Sequence, residues 1–159
     1  MEGGRLVLGL TATAALGLLV AVPLVLILPL QPSPTQTPTT PALEIRVFGG
    51  EVGGRFGFGP LQGNITSPGP TLRLRLGQPV RIVFVNVGQI PHSFAVVQAP
   101  REDSPPLFGA AIGSASRPIL PGQAGSVIFT PNRPGKYYYI CTVPGHPLLG
   151  MVGEIVVEG

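Results

Sequence analysis

From Ala42 to Gly159 the sequence is a succession of short apolar runs, each interrupted by Gly or Pro before a helix could complete a few turns. None of it repeats with the 3.6-residue period of an amphipathic helix; the runs have strand character instead. LEIRVF (43–48) comes first. TLRLRL (71–76) alternates strictly, setting Leu72, Leu74 and Leu76 on one face and Arg73 and Arg75 on the other. VRIVFVNV (80–87), HSFAVVQ (92–98), GSVIFT (125–130), KYYYIC (136–141) and GEIVVE (153–158) follow. GQP (77–79) and PGQAG (121–125) carry turn chemistry. Seven or eight short strands in one domain predict an all-β sandwich or barrel. The stretch between Ala99 and Gly125, rich in Pro, Gly, Ala and Ser, reads as a long loop.

The part before this domain is of another kind. Leu6 to Leu30 contains no charge. About 25 residues at ~1.5 Å each exceed the ~30 Å hydrocarbon core of a bilayer. Arg5 precedes the run, and positive flanks stay cytoplasmic. Residues 1–5 are thus expected in the cytoplasm, 6–30 as a single transmembrane helix, and the remainder on the extracytoplasmic side of the cell membrane. A cleaved signal segment is the competing reading, but no A-x-A site follows Leu24. QPSPTQTPTTP (31–41) is a linker by composition, since alternating Pro and Thr favour extended, semi-rigid chain.

Composition excludes several classes of function. One Cys forbids an internal disulfide, a CxxC redox pair and a Cys-rich zinc site. Seven scattered acidic residues leave little room for paired-carboxylate chemistry. The net charge of +3 comes from dispersed basic residues, so no nucleic-acid partner is expected.

What chemistry remains is concentrated. Cys141, His146 and Met151 are spaced Cys-x4-His-x4-Met along one short segment, and His92 stands upstream at the start of a predicted strand. Taken singly, a lone Cys is usually a small buried hydrophobe, a lone Met core, and a lone His a satisfied polar group. Taken together, they account for every Cys, His and Met of the chain apart from Met1. Two imidazoles and a thiolate with a weak axial thioether form the donor set of blue-copper sites. A thiol without metal would also be a liability in an oxidising compartment. Asn86, in a strand ending near the site, reads as structural, and Tyr137 to Tyr139 read as strand residues packing the core.

PHSF (91–94), YYYICTVPGHPLLGM (137–151) and the closing VGEIVVEG resemble the cupredoxins, and among them the sulfocyanin and rusticyanin group. Val152 departs from the aromatic that usually follows the Met in sulfocyanins. The resemblance implies a Greek-key sandwich or barrel over residues 42–159 and one type 1 copper ion, held by His92, Cys141, His146 and Met151. It also implies that Ser93 hydrogen-bonds across to the loop bearing the Cys and secures the site.

Four protein donors leave copper no open position, which suits an electron carrier and not a catalyst. The expectation is a membrane-anchored blue copper protein shuttling electrons between respiratory partners, a cytochrome or a haem-copper terminal oxidase. A nitrite reductase or multicopper oxidase fragment would need further histidines, and there are none. A copper-binding or copper-sensing module without a carrier role is the alternative. Val143, Pro144, Pro147, Leu148 and Leu149 flank His146 and are expected to form an apolar docking patch around it.

Overall fold

A computed structural model describes residues 43–159. The expected cytoplasmic segment, membrane span and Pro/Thr linker lie outside the described residues. Within them there is no helix, and nine strands form two sheets. They are β1 (Leu43–Val52), β2 (Arg55–Gly59), β3 (Leu72–Arg75), β4 (Val80–Asn86), β5 (Phe94–Val97), β6 (Ala111–Ile112), β7 (Ala124–Phe129), β8 (Gly135–Ile140) and β9 (Val152–Glu158). One sheet has the order β2-β1-β4-β7 and the other β3-β9-β8-β5-β6. Neighbours are antiparallel except for β1 with β4 and β3 with β9. The chain changes sheets at every connection except β1–β2, β5–β6 and β8–β9.

Alternation decides which face each strand turns inward. Val80, Ile82 and Phe84 of β4 point one way, and Ile155 and Val157 of β9 meet them from the other sheet. Phe58, Phe94 and Tyr139 fill the centre, with Tyr139 and Phe94 stacked at 5.5 Å. The Tyr139 hydroxyl donates to the Pro70 carbonyl at 2.5 Å, so a ring that deep still satisfies its polar end. Tyr137 is buried with it, while Tyr138 faces the other way.

All seven predicted runs are strands, but two strands had no counterpart among them. In β2, RFGFG, glycines stand where strand-forming residues are expected; its signal was the Gly53–Gly54 turn, both residues at positive φ. The second is β6, inside the segment expected to be a loop. That segment is tied down, with Leu107 N bonding Val96 O and Val96 N bonding Ala110 O. Leu76 corrects the alternation of TLRLRL: it lies past the end of β3, 41% exposed, at the turn where Gly77 takes a positive φ.

Candidate metal centre

His92 and the β8–β9 loop bearing Cys141 and His146 come from two places in the chain and meet in one buried spot. Their ligand atoms lie within 4.8 Å of one another. Cys141 follows β8 directly, and the chain then turns tightly until β9 begins at Val152. His146 N bonds Val143 O, Leu149 N bonds Gly145 O, and Gly145 and Gly150 supply the positive φ values that such a compact loop requires. Met151 closes it, with its N bonding His146 O at 3.0 Å and its O accepting from Cys141 N at 3.2 Å. Its side chain is fully buried.

His92 arrives two residues before β5, the strand beside β8, paired by backbone bonds to Ile119. Asn86 builds the approach to it. Its amide donates to the carbonyls of Ile90 and Ile119, both at 2.8 Å, and its carbonyl accepts from Gly88 N. Ser93 bridges the two sides: its N lies 3.3 Å from the Cys141 Sγ, and its hydroxyl accepts from Thr142 N at 2.7 Å.

The electrostatics follow from this enclosure. Burial holds the His92 imidazole down to a pKa of about 4, aided by His146 and opposed by Glu51. Burial lowers His146 as well. It pushes the Cys141 thiol up, against the amides of Val143 and Ser93 that favour the thiolate. Nδ1 of His92 and Nδ1 of His146 are 3.1 Å apart, and the sulfur is 3.4 Å from the latter. Three donor atoms facing one another at such range, sealed from water, match the needs of a soft or borderline cation. The residues therefore fit copper, and its binding would displace the thiol proton.

Three acidic and aromatic neighbours escaped the sequence analysis. Phe56 of β2 stacks on His146 at 4.2 Å and meets His92 edge-on. Glu102 accepts from Gly145 N at 2.6 Å, tying the 99–110 segment to the ligand loop. Glu51 of β1 sits 3.6 Å from Nε2 of His92. The expected docking patch is smaller than its five residues. Pro144 is exposed, and Leu148 and Leu149 are 89% and 48% exposed. Pro147 is buried and Val143 packs against the core, because the tight loop turns both inward. A groove of about 360 Å³ separates Pro147 and Leu148 from Pro100–Asp103.

A two-sheet sandwich with one strand-borne His and a Cys–His loop before its last strand defines a cupredoxin. Residues 71–158 match the family described as copper binding proteins, plastocyanin/azurin family, and the chain belongs to it. The rusticyanin of Acidithiobacillus ferrooxidans is 34% identical over 94 residues, which are 56% of this chain and 50% of that protein. The copper-resistant cuproprotein CopI of Rubrivivax gelatinosus is 31% identical over 95 residues, 55% of this chain and 57% of its own. A copper-containing nitrite reductase of Alcaligenes xylosoxydans is 30% identical over 100 residues, only 28% of its length. The chain thus spans about half the length of the first two. Among solved structures, auracyanin B aligns with a TM-score of 0.54 and 26% identity, covering 77% of this chain and 94% of that one. Family and donor set together indicate a single type 1 copper as cofactor.

Proposed function

We propose that the protein is a carrier of single electrons, anchored in the cell membrane by residues 6–30 and working on the extracytoplasmic side. Its partners in this reading are respiratory redox proteins, a cytochrome or a haem-copper terminal oxidase. His92, Cys141 and His146 would hold the copper, and the Met151 thioether would be a weak fourth donor. The observation that carries the reading is the convergence of three buried donors within 4.8 Å, on a loop and a bridge pinned by backbone hydrogen bonds. When bound, copper supplies a one-electron Cu(I)/Cu(II) couple. The residues around it keep the donors in place for both states: Ser93 and Thr142 lock the sulfur side, and Phe56 stacks the His146 ring. His146 keeps a 7% exposed edge beside Leu148 and Leu149, a natural port for electrons.

The likeness to a copper-resistance protein favours one second reading, a copper-handling module without a carrier role. An absorption spectrum of the Cu(II) protein before and after ascorbate separates the two. An intense red-absorbing thiolate band that bleaches and returns supports the carrier; a protein that holds Cu(I) and never turns blue supports the handler. The anchor is tested by cell fractionation with N-terminal sequencing. A soluble protein beginning near Gln31 would sink it.

A further inference from the structure

We propose that Glu51 is a positioning residue for His92, fixing the ring through Nε2 so that Nδ1 faces Cys141 and His146, and placing negative charge behind it. This rests on reading those three residues as copper ligands. Nε2 of His92 is the one buried side-chain nitrogen or oxygen among the described residues that lacks a hydrogen-bond partner. Glu51 Oε1 stands 3.6 Å from it. That carboxylate is no wandering surface group. It accepts from Gln89 N at 2.9 and 3.1 Å and from Ile90 N at 3.2 Å, so the backbone leading into His92 dictates where the charge sits. Gly88 keeps the space between open. A Cβ there would fall 2.5 Å from Glu51 Oε2 and 2.9 Å from His92 Nε2.

A neutral imidazole carries one N–H and one lone pair. Because Nδ1 faces the other two donors, it must present the lone pair, and the proton belongs on Nε2. A buried N–H there needs an acceptor, and leaving it without one is unfavourable. Glu51 is the acceptor that faces it. A closure of roughly 0.7–0.9 Å brings 3.6 Å to the ~2.7–2.9 Å of a charge-assisted bond. A carboxylate behind a ligating imidazole makes the ring a stronger donor. Stronger donation stabilises the more positive Cu(II), so Glu51 holds the reduction potential down.

The test uses the full chain, labelled with 15N, as wild type, Glu51→Gln and the surface control Glu154→Gln. In the diamagnetic Cu(I) form, wild type is expected to give a slowly exchanging, downfield His92 Nε2–H resonance. In Glu51→Gln, which keeps an acceptor oxygen and loses the charge, that resonance moves upfield. The Cu(II)/Cu(I) equilibrium shifts roughly tenfold toward the reduced form, a rise of about 59 mV for a one-electron couple. Glu154→Gln changes neither. An unmoved resonance with a less than threefold shift overturns the proposal. Should Glu51→Gln fail to fold, wild type alone decides, since a proton on Nδ1 or an Nε2–H in fast exchange with water also overturns it. A wild type that never turns blue refutes the copper reading instead, and the tautomer of the copper-free chain then still reports on the Glu51–His92 pair.

Discussion

At the scale of single residues, Met151 and His92 give the sharpest expectations. Met151 is wholly buried, and replacing it with Leu nearly conserves volume, a swap that costs less than ~1.5 kcal/mol. Losing the thioether weakens Cu(II) more than Cu(I), which is content with three ligands, so the potential rises. Gln offers a harder oxygen donor and lowers it. Redox titration at one pH is expected to place Leu above Met above Gln, and a Leu variant with an unshifted potential would mark Met151 as packing alone. His92 bears on the copper-free protein. Its folded pKa of about 4 lies below the 6.5 of an unconstrained imidazole. Between those values the unfolded chain binds a proton that the folded one refuses. Stability is therefore complete above about pH 6.5 and falls as the pH drops toward 4. Urea midpoints of the copper-free chain at pH 7 and pH 4.5 check this, with the lower midpoint expected in acid; equal midpoints would contradict it.

At the scale of the elements, the approach to His92 hangs on Asn86, which satisfies two carbonyls and one amide at the end of β4. Abandoning a buried partner costs about 1–3 kcal/mol. Asn86→Ala is therefore expected to lose about 3 kcal/mol or more in urea unfolding and to weaken copper retention. A loss below about 1 kcal/mol would mean water replaces the side chain. This also explains what the sequence made legible. The strands with apolar alternation were readable, and so was the Cys-x4-His-x4-Met spacing, because its donors lie on one short loop. Phe56 was not, since it sits in a five-residue strand of which two residues are glycine. Glu51 and Glu102 lie about forty residues from the groups they touch, and only the folded sheets bring them near. Pro147 was misjudged because hydrophobicity on a loop does not tell which side faces solvent.

At the scale of the whole molecule, the exposed surface beside His146 narrows to Leu148, Leu149 and Pro144. Leu148→Lys is expected to slow the bimolecular electron exchange with a physiological partner while the copper spectrum stays the same. An unchanged rate places docking elsewhere. The course of β1 adds a constraint of its own. The strand starts at Leu43, bonded to Pro79 by the turn before β4, and eight residues later Glu51 reaches His92. At ~3.3 Å per residue the two points are about 26 Å apart. The chain enters the sandwich at one pole and the copper donors occupy the other. A grip on the sandwich at Leu43 itself holds it like a lamp by its base, with the light at the far end. A protein immobilised that way on an electrode would exchange electrons poorly with the surface carrying it, and readily with whatever approaches from the open side.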